Sequence, residues 1–196
     1  MAEAKFSLKE YAIDTLEIAY YNLLRTIETI KPETVNVQVN PDINPITWIL
    51  GHVAAHMDSK FVTECQGNPL MGKYTWKEGS PYTTGQTKNT IQQGLPLSFK
   101  EIVDVFLQIG DITFSYLRKM DDSKFGYLHE KGTPVMKRIQ RVSLHLMGHM
   151  GQIRIIRRNL NDPAPGFFVA GMTTTARNRI RQRFLAWWNQ KKNAFA

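Results

Sequence analysis

Two histidines in the C-terminal half of the sequence, His145 and His149, lie four residues apart in an apolar, glycine-containing run. On an α-helix, residues at this spacing lie one above the other on the same face, so both imidazoles can reach a single point. Such a pair can supply two ligands of a divalent metal ion. A pair at this spacing also arises by chance in a chain with five histidines, and a buried histidine is more often a hydrogen-bonded core residue. The pair by itself leaves both interpretations open.

A second pair with the same spacing, His52 and His56, offers a third ligand. At about 100° per residue, His145 and His149 fall beside an apolar stripe and point into the protein, where an unpaired ring nitrogen costs a few kcal/mol. On the other helix His56 lies nearer the apolar stripe and His52 on its flank, so helical phase alone favours His56. The fifth histidine, His129, lies in a predicted loop and is predicted to be a surface residue.

Composition limits the kind of metal site. Cys65 is the only cysteine among the 196 residues, so the chain can form no internal disulfide and no thiolate-rich zinc site. Any metal must be held by nitrogen and oxygen. The length suits one domain over residues 1–196. No signal-peptide pattern and no apolar run of about 20 residues occurs, which predicts a cytoplasmic protein without a membrane span.

The elements that must position the histidines are helices. Apolar residues alternate three and four apart over about residues 8 to 30, which predicts a long amphipathic helix. An extended connection follows, and Asn44-Pro45 is typical of a helix start, with the helix running to about residue 65. The capping box at Ser98 and Glu101 opens a third helix to about residue 120. Thr133-Pro134 opens a fourth to about residue 160, and a short helix is predicted over about residues 174 to 191.

Two further regions bear on function. Residues 67–97 are rich in Gly, Pro, Thr, Lys and Asn, and a connection of this length is usually functional or a crossover between parallel helices. The net charge of +8 is concentrated from residue 133 onward, where twelve Lys or Arg stand against one acidic residue. The array predicts an all-α, four-helix bundle over about residues 7–160, with a C-terminal loop and short helix over residues 161–196.

The chain resembles the DinB/YfiT-like family of four-helix-bundle metalloenzymes. The resemblance rests on residues 44–52 (NPITWILGH) and 145–153 (HLMGHMGQI), on the 93-residue spacing from His52 to His145, and on the helix starts at residues 98 and 133. It implies that the metal ligands are His52, His145 and His149. For the third ligand the resemblance therefore opposes helical phase. Gly151 and Gln152 also match, whereas Met150 stands where the family often has histidine or arginine.

The resemblance implies a metal-dependent enzyme, similar to thiol S-transferases or hydrolases. Three imidazoles leave an open position, as in catalytic zinc sites, although nickel, iron and manganese also accept histidine. Position 146 is Leu, where a zinc protease of the His-Glu-x-x-His type has Glu. Gln152 is predicted to orient a water or substrate, or to be a plain helix-surface residue. Asp58 and Glu101 are candidate acids that nothing in the sequence places at the metal.

Two other functions stay open at this point. The first is a non-catalytic, metal-stabilised homodimer, with exposed aromatics of the last helix as its surface. The second is nucleic-acid binding through the last helix, where basic and aromatic residues suit phosphates and stacked bases; the residues are Arg177, Arg179, Arg181, Arg183, Trp187 and Trp188. The aromatic stripe favours docking on the bundle or a second subunit, with the arginines as a solvated face, and so makes nucleic-acid binding the weaker alternative. The expected partners are a small molecule, such as a low-molecular-weight thiol, and a second copy.

Overall fold

A computed structural model describes residues 7–125, 135–167 and 172–196. Within these ranges the chain is helical and contains no β-strand; the only strand-like pairing is an isolated bridge between Asn40 and Ile43. The predicted surface position of His129 and the predicted helix start at Thr133-Pro134 lie outside the described residues. None of the helices in the described ranges is long and apolar enough to cross a membrane.

Four long helices form the bundle. They are α1 (Leu8–Ile27), α2 (Ile46–Met57), α5 (Phe99–Lys119) and α6 (Val135–Asn159). Each packs against two of the others in the order α1, α6, α2, α5 and back to α1, so the apolar faces enclose one core. This confirms the predicted all-α bundle. The apolar stripes that predicted the helices are buried within it.

The helix ends agree with the sequence where a side chain caps the helix. Ser98 accepts from the backbone N–H of Glu101, and the Glu101 carboxylate accepts from the Ser98 N–H, which confirms the capping box. The predicted start at Asn44 is wrong by one residue, because Pro45 is the N-cap and carries no side-chain cap. The first helix ends at Ile27 and not near Ile30, since the chain turns at Thr29 with φ of 62°.

The helical stretch that starts with α2 continues through a π-helical turn (Asp58–Val62) into the short α3 (Thr63–Gln66). Gly67 ends it with φ of 74°, a left-handed conformation that favours glycine. Near the end of α5, the Tyr116 hydroxyl donates to Glu64 Oε1 at 3.3 Å, so the C-terminal ends of α3 and α5 lie together. The connection over residues 67–97 is more ordered than the sequence predicts, since it contains the two-turn helix α4 (Thr87–Gln93).

The last helix, α7 (Thr174–Lys191), packs on α1 and reaches α5. Ile180, Phe184 and Trp188 are buried, and the Trp188 indole N–H donates to Asp104 Oδ1 at 2.7 Å. The expected surface of exposed aromatics is therefore largely used inside the chain. The homodimer itself stays a prediction.

The sequence predicts the arginines of α7 as a solvated face, and the structure agrees in part, since Arg179 and Arg183 are exposed whereas Arg177 is buried. Arg177, Arg181 and Arg183 form ion pairs with carboxylates of the bundle, and the acceptors are Asp14, Glu17, Asp111 and Glu28. An ion pair within the chain competes with a phosphate for the same guanidinium. This weakens the nucleic-acid interpretation of the last helix.

A buried ion pair ties the end of α6 to the end of α1. Arg157 is fully buried and donates to the backbone carbonyls of Thr26, Glu28 and Asp162, and to Asp162 Oδ1 at 2.9 Å. The other Asp162 oxygen accepts from the Lys31 N–H and the Thr34 hydroxyl. We call these residues the Arg157 cluster. Its charges are compensated and its donors are satisfied, which is what a buried ion pair requires.

Candidate metal centre

Three imidazoles from two helices meet between α2 and α6. Nε2 of His145 lies 2.9 Å from Nε2 of His52 and 2.9 Å from Nε2 of His149. One ring nitrogen from each of the three residues lies within 4.8 Å of the other two. The two helices are antiparallel here, so one histidine of α2 faces the pair on α6. We call these three residues the histidine centre.

His52 is held on two sides by neighbours that the fold supplies. Its Nδ1 donates to the backbone carbonyl of Tyr82 at 2.6 Å. The Trp48 indole, one turn earlier on α2, stacks on the imidazole with ring centroids 5.1 Å apart and planes inclined by 9°. The Trp48 N–H in turn donates to the carbonyl of Pro81 at 3.2 Å, so the connection is anchored on the same face of α2.

Gly51 makes this arrangement possible. A Cβ atom at this position would lie 2.2 Å from the Tyr82 ring, far inside van der Waals contact. Only glycine therefore admits the fully buried Tyr82 beside α2. The Trp-x-x-Gly-His pattern thus has a physical reason. Trp48 stacks on the His52 ring, and Gly51 leaves room for Tyr82, whose carbonyl accepts from His52.

His149 is oriented from its own helix. Its Nδ1 donates to Gln152 Oε1 at 2.8 Å, so Gln152 contacts a candidate ligand. Whether Gln152 also contacts water or substrate stays a prediction. In both His52 and His149 the donated proton sits on Nδ1, which leaves the Nε2 lone pair directed at His145.

The arrangement leaves an electrostatic conflict that a cation would remove. His145 Nε2 faces two lone pairs and can donate a proton to only one of them. His145 Nδ1 is buried and has no hydrogen-bond partner among the described residues. A metal ion that accepts all three lone pairs resolves the conflict, and neutral imidazole is its usual ligand form. The donor set therefore fits a divalent cation.

Burial favours the neutral imidazoles that a metal needs. Desolvation lowers the pKa of His52 and His149 below the usual value of 6.5 and is the largest effect at both. It lowers the pKa of His145 to about 3, with a further contribution from the neighbouring His56. The three imidazoles of the histidine centre are consequently uncharged at neutral pH.

His56, which helical phase favoured, lies beside the histidine centre but does not belong to it. It is buried, its ring centroid is 4.4 Å from that of His145, and it meets the Trp76 ring edge-on at 5.8 Å. Its Nδ1 has no hydrogen-bond partner in the described part of the chain. Burial, assisted by the charge of Lys60, lowers the pKa of His56 to about 4.

The two candidate acids of the sequence are engaged elsewhere. Asp58 is fully buried in the π-helical turn and accepts from the backbone N–H groups of Leu70 and Met71 at 2.9 and 3.0 Å. Glu101 belongs to the capping box of α5. Both carboxylates therefore have structural roles, and neither adjoins the three imidazoles. Met150, the departure from the family pattern, is buried in the core.

Sequence reasoning missed the contributions of Tyr82 and Trp76. Both belong to the 67–97 connection, and the backbone N–H of Trp76 donates to the backbone carbonyl of Ala55 at 3.2 Å. Their contacts with the two histidines of α2 span 20 to 30 residues of irregular chain, which no local pattern predicts. The only available signal was that aromatics are scattered through an otherwise polar connection.

The described chain is thus a helical bundle in which three histidines of two neighbouring helices face one another. A family model described as the DinB superfamily matches residues 15–153, which include α2 and all three histidines. The chain belongs to this superfamily. No match was found among the curated proteins or the solved structures. Family and geometry together fit a metal-binding protein.

Proposed function

We propose that the protein is a metal-dependent enzyme in which His52, His145 and His149 hold a divalent cation. The observation that carries the proposal is the meeting of three Nε2 atoms, two of them 2.9 Å from the third, with no proton available for one of the contacts. When bound, such a cation is a Lewis acid that can lower the pKa of a water or thiol or polarise a carbonyl. Three protein ligands leave a position for that molecule.

The other residues prepare this site. The Tyr82 carbonyl and the Trp48 ring fix the orientation of His52, and Gln152 fixes that of His149. Such partners of ligands sustain metal affinity, because they hold the tautomer and raise the basicity of the ring. Trp76 meets His56 edge-on, and its backbone N–H donates to the Ala55 carbonyl, so this part of the connection lies against α2. We propose a small molecule, such as a low-molecular-weight thiol, as substrate.

Zinc or nickel is the proposed metal, with iron or manganese as alternatives, because imidazole suits several divalent ions. Elemental analysis of the purified protein tests the proposal and identifies the metal. We expect about one equivalent in the wild type and loss of the metal in His145→Ala and His149→Ala. A chelator should lower the melting temperature of the wild type and leave that of the variants unchanged, because binding to the native state stabilises it.

A matched control is His56→Ala, which removes a neighbouring imidazole that does not belong to the histidine centre. It should retain the metal. A wild-type protein that takes up no divalent metal after incubation and dialysis would overturn the proposal. A metal-containing protein that shows no transfer in a screen of low-molecular-weight thiols and electrophiles would restrict the thiol chemistry and favour a hydrolase or a scaffold.

A further inference from the structure

The polar side chains of the α2–α6 interface continue beyond the histidine centre toward the start of α6. On the α2 side, His56 follows His52 by one turn, and Lys60 follows four residues later in the π-helical turn. The Lys60 ammonium lies over the Trp76 ring, 5.1 Å from its centroid, and the same ring meets His56. Lys60 is therefore on the face that carries the histidines.

The α6 side of the interface runs in the opposite direction. Arg141 precedes His145 by four residues and Arg138 precedes it by seven, so both lie on the face of α6 that carries His145. Arg138 pairs with Glu64 of α3, which places this end of α6 beside the end of the α2 stretch. Three cations thus lie together at the end of the α2–α6 interface beyond His56. We call them the basic end; they are Lys60, Arg138 and Arg141.

The basic end carries excess positive charge. In the described part of the chain the ion pair of Arg138 with Glu64 is the only one recorded for these three cations. Arg138 Nε is buried and has no hydrogen-bond partner there. Burial lowers the pKa of Lys60, and the charges of Arg141 and Arg138 lower it further, as expected for cations that crowd each other. One added negative charge would relieve this repulsion.

We propose that the basic end binds an anionic group of the substrate while the reactive group of the same molecule reaches the histidine centre. The inference rests on the proposed function and adds the substrate class, a small molecule with a carboxylate or phosphate. Its anionic group is separated from its reacting atom by the distance between the basic end and the histidine centre. At 1.5 Å rise per residue, Arg141 lies about 6 Å from His145 along α6. Lys60 lies in the π-helical turn that continues α2, about 12 Å from His52 along the same axis.

A matched pair of thiols tests this inference, with 6-mercaptohexanoate as the anionic probe and 6-mercaptohexan-1-ol as its neutral analogue. Protein loaded with Co²⁺ reports on the metal through its visible absorption, and thiol binding adds a separate near-ultraviolet band that can be titrated. We expect the acid to bind at least about tenfold more tightly than the alcohol, as a charge-assisted hydrogen bond provides. The preference should decline at high salt, where exposed charges are screened.

Variants locate the preference. The double variant Lys60→Met/Arg141→Met should bind both probes equally while its Co²⁺ spectrum stays that of the wild type. Glu64→Gln should increase the preference severalfold, because it releases Arg138 from its partner. The matched control is Lys137→Met, which removes a charge from the same helix on the face toward α1; it should retain the wild-type preference.

Each outcome is decisive. Equal binding of acid and alcohol by Co²⁺-loaded wild type, or a preference that survives the double variant, overturns the inference and leaves the metal-centre proposal intact. Failure of the wild type to take up Co²⁺ overturns the proposed function, and the inference with it. A preference that disappears in the double variant and persists in Lys137→Met supports both the inference and the proposed function.

Discussion

Helix α6 contributes to two buried polar groups, the Arg157 cluster and the histidine centre, and these differ in how their hydrogen bonds are satisfied. In the Arg157 cluster each guanidinium nitrogen donates to an oxygen, and both Asp162 oxygens accept. In the histidine centre, two lone pairs face one nitrogen that can supply a single proton. A complete buried network stabilises a fold, whereas an incomplete one is costly unless a ligand completes it. The Arg157 cluster is therefore a structural polar group, whereas the histidine centre is one that a bound cation would complete.

The largest expected effect is on the structural side of this comparison. Arg157→Met leaves Asp162 Oδ1 and three backbone carbonyls in the core without the donor that Arg157 supplies. We expect the free energy of unfolding to fall by about 3–5 kcal/mol, as for the loss of one partner of a buried pair. Urea denaturation with and without metal measures it. The stabilisation by metal should be unchanged, because the sites are separate and share no partner.

The exposed neighbour supplies a control for that variant. Arg158→Met removes the same charge from the adjacent, exposed position and should change the stability by no more than about 0.5 kcal/mol. If Arg157→Met proved as mild, the Arg157 cluster would not have the structural role that its hydrogen bonds indicate.

Acid should destabilise the metal-free histidine region. In the unfolded chain the imidazoles have their usual pKa of 6.5, whereas in the folded protein burial lowers the pKa of His56 to about 4. The unfolded state therefore takes up protons first as the pH falls below 6.5, and the folded state loses stability until its own imidazole protonates near pH 4. The slope for each such imidazole approaches about 1.4 kcal/mol per pH unit.

The contribution of His56 is isolated by difference. Urea denaturation of chelator-treated wild type and His56→Phe between pH 7.5 and 4.5 should show a shallower loss of stability in the variant. Identical slopes in the two proteins would contradict the lowered pKa of His56. The difference between the two slopes measures how much stability the protein loses on acidification because it keeps the His56 imidazole uncharged in the core.

The smallest expected effect concerns the support of one ligand. Gly51→Ala pushes the Tyr82 ring away from α2 and so disturbs the carbonyl that orients His52. We expect the metal affinity to fall about tenfold, as for the loss of a partner of a metal-ligating histidine. The measurement is competition for the metal against a chromophoric chelator.

Gly148→Ala is the matched control. Gly148 lies between His145 and His149, and a Cβ there would meet nothing within 4 Å. The variant should retain the metal affinity and gain up to about 1 kcal/mol of stability, because alanine is the better helix former. Equal loss of affinity in both variants would show that contact with Tyr82 is not the cause.

Much of the fold was predictable because its signals are local. The apolar periodicity of the four long helices and the capping box at Ser98 each depend on residues within one or two turns. The start of α2 was misplaced by one residue because no side chain caps it. The order in α4 was missed, since seven residues of polar sequence give too short a pattern for periodicity.

From the sequence, apolar periodicity places two pairs of histidines on helices, and the spacing of four residues puts both members of each pair on one face. The resemblance named His52, but the physical reason why this histidine of α2, and not His56, meets the pair on α6 lies in the packing between the helices. That choice depends on the register of two antiparallel helices and on the ring of Tyr82, which enters beside Gly51 and turns a carbonyl toward His52. Helical phase describes one helix at a time, and on α2 it favoured His56. The packing between helices instead brings His52 into the histidine centre.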